Sequence, residues 1–301
     1  MTERGFVRLH DRGVLSVEGA DAEAFLQGLV SNDVARVTER QAGYGALLTP
    51  QGKFLFDFLL YRTAEGFLLE TEAARLPDLI RRLTLYKLRS KVTLADMSER
   101  HAVLALLSAD DGPGASEILE TVAEGIIVAD PRLADLGRRA LLPPDAVDRV
   151  MGALGLAELP VAAWEKRRLA LGVPDGSRDI EVEKGILLEN GFEELGGVAF
   201  DKGCFVGQEL TARTKYRGLI KKRLLPVVFE GALPEPGTII RLGEREAGEV
   251  RSAADGRGLA LIRLDQLAKA EASGLPLQAG DTVVRPQPPS WVRIARPDVK
   301  A

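Results

Sequence analysis

The chemistry most specific to this chain centres on its single thiol. Cys204 lies in the run Lys202-Gly203-Cys204-Phe205-Val206-Gly207-Gln208-Glu209. Glycines on both sides let a ligand or partner approach closely, because no Cβ stands in the way. A sulfur near cations and at a helix start is expected to favour its thiolate, the form that attacks or binds metal. Cys204 is therefore a candidate reactive or metal-ligating sulfur, and the ordinary alternative is a small apolar residue in a glycine-rich turn. From Lys202 to Arg223, seven basic residues (Lys202, Arg213, Lys215, Arg217, Lys221, Lys222, Arg223) accompany one acid, Glu209, in a chain of formal net charge −4. That stretch reads as a docking place for an anionic ligand or partner, or as a solvated charge run. With one cysteine there is no intrachain disulfide, and His10 and His101 add too few ligands for a metal centre from this chain alone.

The elements that must position this run can be read from apolar spacing. Asp21 is placed to cap a helix carrying Ala24, Phe25, Gly28 and Leu29. Tyr44–Thr49, Phe54–Tyr61 and the run after Gly66, separated by Pro and Gly, predict successive antiparallel strands. Leu76, Leu79, Ile80 and Leu83 recur at helical spacing, and Val92–Leu94 begins another strand. The pattern repeats on a smaller scale over 101–142, with strands in HAVLALLS, IIVADPR and RRALLPP and a helix in SEILETVAEG. Helices follow in PPDAVDRVMGALGLAEL, which a proline can initiate, and in AAWEKRRLALG. Val198–Phe200 reads as a strand end leading into the thiol turn, and Gly207 introduces a short helix through Ala212. After Leu224, six short segments (LLPVVFE, GTIIRL, REAGEVRSAA, GLALIRL, DTVVRP, WVRIARP) predict a β-barrel or sandwich.

The eight-residue run resembles the K-G-C-[YF]-x-G-Q-E signature of the YgfZ family of folate-binding proteins. These are relatives of the glycine-cleavage T-protein and include mitochondrial proteins that help mature iron–sulfur enzymes. Further matches extend over nearly the whole chain: Phe25-Leu26-Gln27-Gly28 with Ser31-Asn32-Asp33, Leu48-Thr49-Pro50-Gln51-Gly52-Lys53 with Asp57, Leu88-Arg89-Ser90-Lys91-Val92, Arg168 to Pro174, Glu189, Ala212-Arg213 and Tyr216-Arg217-Gly218. Leu187 replaces the proline usual before Glu189, Phe205 stands where tyrosine is common, and the T-protein's aspartate pair is reduced to Phe56-Asp57.

The resemblance implies an α+β, three-domain T-protein-like arrangement: two interleaved α+β units and a C-terminal β-barrel. Its expected boundaries are 1–44 plus 141–224 for the unit carrying the signature, 45–140 for a ferredoxin-like unit, and 225–301 for the barrel. It also implies tetrahydrofolate or a derivative as cofactor, in a central funnel with Cys204 near its mouth. A pterin presents adjacent N–H donors that a carboxylate accepts in pairs, which makes Glu189 the first anchor and Asp57 the second. Without the resemblance these would read as a helix-cap acid and a strand-end acid. Arg213, Tyr216, Arg217 and Arg223 could contact the folate's anionic tail and flat benzoyl ring.

Two function classes follow. One is a folate-binding accessory protein for assembly or repair of iron–sulfur clusters, with client enzymes or cluster-assembly proteins as partners. One cysteine cannot hold a cluster that wants about four thiolates, so it would share a site or act as a redox thiol. The other is a folate-dependent aminomethyltransferase-type enzyme, with an aspartate managing the proton. No recognised RNA module accompanies the basic stretch, which argues against tRNA as a partner. No apolar run of 18 residues suggests a membrane span, and the N-terminus lacks a signal-peptide core, so the expected location is cytoplasmic.

Overall fold

A computed structural model describes residues 4–107, 125–218 and 220–294. Its contacts divide the chain into two compact units, one comprising 1–47, 56–164 and 195–206, the other 48–55, 165–194 and 207–301.

The first unit contains β1 (Gly5–Arg8), β2 (Arg12–Glu18), α1 (Ala22–Gln27), β3 (Gly43–Leu48), β4 (Phe54–Arg62), β5 (Gly66–Glu72), α2 (Leu76–Lys87), β6 (Thr93–Asp96), β7 (Ala102–Leu107), β8 (Ile126–Ala129), β9 (Arg138–Leu142) and α3 (Val147–Ala153), apart from Leu48, Phe54 and Leu55 at the facing ends of β3 and β4. One sheet runs β3-β4-β5-β2-β6 and a second runs β1-β7-β9-β8. β4 is buried along almost its whole length rather than on alternate residues, which fits its run FLFDFLLYR, apolar at every position but Asp57 and Arg62. On the second sheet, Val147, Val150 and Met151 of α3 pack against Phe6, Leu104, Ala140 and Leu142. Strand pairing crosses the boundary expected at residue 44, because β2 lies between β5 and β6, with Leu15 opposite Leu69 and Asp96. Asp21 does occupy the N-cap of α1, but its carboxylate makes no cap bond and instead accepts from the Lys91 amide at 2.7 Å. The helix expected in SEILETVAEG lies outside the described residues.

α4 (Val161–Leu171) leads into the second unit, followed by α5 (Gly176–Asp179), α6 (Gln208–Tyr216), β10 (Lys222–Glu230), β11 (Ile239–Leu242), β12 (Arg245–Ala254), β13 (Arg257–Arg263), α7 (Leu264–Ser273), β14 (Leu277–Ala279) and β15 (Thr282–Pro286). The six strands close as β10-β13-β12-β11-β14-β15, and closure leaves no unpaired edge to attract another chain. Leu225, Val227, Ile240, Val250, Ala260 and Ile262 fill its interior, with Leu264 and Leu267 of α7 in the same cluster. Two expectations are corrected here. Val198–Phe200 are irregular backbone, and Trp291–Ile294 form no strand; Trp291 is instead tied down by its Nε1, which donates to the Leu171 carbonyl at 2.8 Å. No helix of the described residues is long and apolar enough to cross a membrane.

Candidate functional site

The thiol signature straddles the two units: Lys202 to Val206 belong to the first, Gly207 onward to the second. In the first unit, the segment from Gly196 to Val206 lies along residues 27–36. Ser31 Oγ donates to the Gly197 carbonyl at 2.6 Å, Asn32 Nδ2 donates to the carbonyls of Gly196 at 2.8 Å and Tyr44 at 2.7 Å, and the Ala199 amide donates to the Ser31 carbonyl. The Gln27 side chain braces the cradle, donating to Asp33 Oδ1 and accepting from the Val34 amide. The matched motifs FLQG, SND and KGC thus form one hydrogen-bonded surface.

Lys202 is the main departure from expectation. Its side chain does not join a surface cluster of cations; it is buried, and its ammonium donates to the carbonyls of Gln27 (2.8 Å), Val30 (2.8 Å) and Asn32 (2.7 Å). Gln27 ends α1, so its carbonyl has no partner within the helix and needs one from elsewhere. Burial pushes the Lys202 pKa down to about 8, with Asp33 pulling the other way. The ammonium also lies 5.3 Å from the centre of the buried Phe205 ring. The Val206 amide donates to the Gly28 carbonyl at 3.3 Å. Between these two ties, Gly203 and Cys204 are exposed, and a Cβ on Gly203 would meet open space.

Asp57 lies in the same unit, in the middle of β4 and only 3% exposed, where its Oδ2 accepts from the Tyr44 hydroxyl at 3.0 Å. Burial, then the Asp57 charge, raise the Tyr44 pKa well above its ordinary value. A cavity of about 320 Å³ opens beside Tyr44, with Asn32, Asp33, Arg36, Pro131 and Gly196 among its walls. Its volume suits a small ring system.

Sequence reasoning missed a buried charge network nearby. Arg132 grips Asp130 through two bonds (2.9 and 2.7 Å), Arg139 reaches Asp130 at 3.1 Å and Glu70 at 3.5 Å, and Glu70 also accepts from Arg12 and the Tyr61 hydroxyl. Burial alone would raise both carboxyls, but Arg139 and Arg12 at Glu70, and Arg132 and Arg139 at Asp130, hold them below the usual range. The Arg139 guanidinium also stacks 4.4 Å from the Trp164 ring.

In the second unit, Gly207 starts α6 in the left-handed conformation (φ +82°) and faces Gly52 (φ +76°). A Cβ on Gly207 would lie 2.6 Å from the Thr49 carbonyl oxygen and 2.9 Å from the Gly52 Cα, and one on Gly52 would lie 2.7 Å from the Gly207 carbonyl oxygen. The matched runs TPQGK and VGQE therefore meet backbone to backbone. Gln208 and Glu209 open the helix. Glu209 pairs with Arg213 at 2.7 Å on the exposed face, where Tyr216 (74% exposed) and Arg217 also lie. Lys215 pairs with Glu193 at 3.0 Å.

Glu189 sits half-buried on the turn Leu187–Asn190. Burial raises its carboxyl above the usual range despite the nearby Lys222 ammonium and the Lys221 and Lys222 amides. Arg223 departs from the expected role at a folate tail. It points inward, 2% exposed, donating to the Leu188 carbonyl and ion-paired with Glu194, each at 2.6 Å. The basic run is consequently not one positive surface, since Lys202 and Arg223 are buried and two others, Arg213 and Lys215, are paired with acids.

Two family models match the chain, the GCVT N-terminal domain over residues 5–133 and the CAF17 C-terminal beta-barrel domain over 221–294. The mitochondrial iron–sulfur cluster assembly factor IBA57 of Homo sapiens is 36% identical over 276 residues, covering 85% of this chain and 76% of the relative. The Mus musculus protein of the same name is 36% identical over 283 residues, covering 86% and 78%. The homologue from Pyricularia oryzae is 33% identical over 302 residues, covering 91% and 76%. Among solved structures, the glycine cleavage system aminomethyltransferase T from Bartonella henselae superposes with a TM-score of 0.72 at 16% identity, over 97% of this chain and 87% of that one. That likeness establishes a T-protein-like fold. The cytoplasmic expectation is corrected, because these relatives are named as mitochondrial proteins.

Proposed function

Because the chain belongs to the family of IBA57 iron–sulfur cluster assembly factors, we propose that it is a YgfZ-type, tetrahydrofolate-binding accessory protein that assists assembly or repair of clusters in client enzymes. The observation that carries this reading is Cys204 itself, an exposed thiol held on a turn tied down on both sides. Among the described residues, no group of three or more His, Cys, Asp or Glu side chains is arranged for a metal ion. A cluster is therefore cargo here: Cys204 supplies one thiolate, and cluster-assembly proteins or clients supply the rest.

Glu189 fits the acceptor that a pterin's paired N–H donors require, since its carboxylate is partly withdrawn from water and gains from meeting donors. Arg213, Tyr216 and Arg217, all exposed and in the same unit as Glu189, suit the folate's tail. Bound tetrahydrofolate supplies an electron-rich, oxidisable ring that can also carry one-carbon units. The test pairs two variants. Cys204→Ser should fold and bind tetrahydrofolate yet fail to restore iron–sulfur enzyme activity in cells lacking the native protein. Glu189→Gln should weaken calorimetric folate binding by about 1.5–3 kcal/mol, the loss of one charged hydrogen-bond pair. Full restoration by the first variant defeats the accessory role of the thiol, and unchanged affinity in the second defeats the folate anchor.

A further inference from the structure

We infer that Lys202 is a positioning residue for Cys204, acting through a cage of main-chain carbonyls; the inference rests on the role just given to that thiol. An ammonium carries three N–H donors and no acceptor, and here all three directions are answered by carbonyls, from Gln27, Val30 and Asn32, at 2.7–2.8 Å. Three convergent bonds fix the nitrogen in space, which a single bond does not. The charge is withdrawn from water, so the cage must hold firmly to keep it, and the neighbouring Phe205 ring closes over the ammonium. Two residues farther along from Cys204, the Val206 amide fastens the chain to Gly28, the residue that follows the first of those carbonyls. The chain from Lys202 to Val206 is thus pinned at both ends to the same stretch, residues 27–32. Only Gly203 and Cys204 between the pins project to solvent.

A sulfur that completes another protein's metal site must arrive with its direction already set, because ordering it at the moment of contact weakens the contact. Among the described residues, none makes a side-chain bond to Cys204 that would do this. The cage does it through the backbone, and it explains why a lysine precedes the thiol by two positions although its charge never reaches the surface.

The test uses the full chain. In Lys202→Ala, hydrogen exchange of the Val206 amide, which bonds the Gly28 carbonyl, should quicken by about tenfold or more while core amides of β2 and β4 keep their protection. Added n-propylammonium, which replaces the deleted atoms and their donors, should restore protection; tetramethylammonium, which has no N–H, should not. In cells, Lys202→Ala should fall to the level of Cys204→Ser although its thiol is intact. If Lys202→Ala does not fold, Lys202→Met keeps the apolar stem while removing the donors and carries the exchange and cell comparisons without the added cations. Unchanged exchange at the Val206 amide, or equal rescue by both cations, overturns the cage. Full support of iron–sulfur enzymes by Lys202→Ala, with Cys204→Ser inactive, overturns the positioning role alone. Full support by Cys204→Ser overturns the parent reading and the positioning role with it.

Discussion

Replacing Gly207 by alanine probes the closest backbone approach at the signature. The native φ of +82° lies in the left-handed region, where an L side chain costs about 1–2 kcal/mol. The new Cβ would also meet the Thr49 carbonyl oxygen at 2.6 Å, the Gly52 Cα at 2.9 Å and the Leu48 Cβ at 2.9 Å. None of these is the far end of a flexible side chain, so the backbones must part, and overpacking of this kind costs about 1–3 kcal/mol. Reduced freedom in the unfolded chain returns roughly 0.4–1 kcal/mol. The net expectation is a loss of about 2–4 kcal/mol, or a fall in Tm of roughly 5–15 °C at about 2–4 °C per kcal/mol. Thermal melts followed by circular dichroism read it directly. Gly52→Ala should cost a similar amount, since its Cβ would strike the Gly207 carbonyl oxygen and Leu210 Cβ, both at 2.7 Å. The double variant should lose less than the sum, because separating the two backbones once relieves both. A Gly207→Ala chain melting within about 1 °C of the parent would refute the close-approach argument.

Asp130→Asn should destabilise the first unit by about 3–5 kcal/mol in denaturant titrations, because it leaves Arg132 buried without its carboxylate and Arg139 with Glu70 in place of two acids. Glu70 and Asp130 have folded-state pKa values below the usual range, so their contribution is present at neutral pH and is lost as pH falls through those lowered values. Acid melts of the parent should show that loss, and Asp130→Asn should show less of it. Glu189 has the opposite sign: its raised carboxyl favours the folded state in acid and costs stability as pH rises out of the ordinary carboxylate range. Glu189→Gln should accordingly be no less stable than the parent at pH 7, and its Tm should vary less between about pH 4 and 7; a clear drop at neutral pH would contradict this.

What the sequence made legible was whatever repeats locally. β4 announces itself by seven apolar residues around Asp57, α2 by leucines at 76, 79 and 83, and the barrel by short strands between glycines and prolines. β14, three residues long, and α7, whose run LDQLAKAEAS lacks a capping side chain, gave too little signal between stronger strands. The turn bearing Cys204 was also legible, because glycines and a thiol are informative as residue types. Lys202 was not, since its carbonyl partners lie some 170 residues earlier and main-chain oxygens leave no trace in a sequence. For the same reason Arg223 read as a contact for the folate's tail, and the Arg132, Arg139, Asp130 and Glu70 network left no signal.

The interleaving of the two units also bears on how the protein is made. Leu48–Leu55 belongs to the second unit, whose next portion begins at Glu165, so roughly 110 residues must be synthesised before the rest of that unit starts to appear. At about 5–20 residues per second, translation leaves it waiting some 5–20 s. The waiting stretch includes Leu48, Phe54 and Leu55, all buried in the finished protein, and it runs directly into the apolar β4. The first unit is no quicker to finish, because its last portion ends at Val206. Neither unit can close while the ribosome is within the first half of the message. Slow codons or a scarce holding chaperone should therefore reduce the yield of this protein more than that of one whose domains follow one another along the chain.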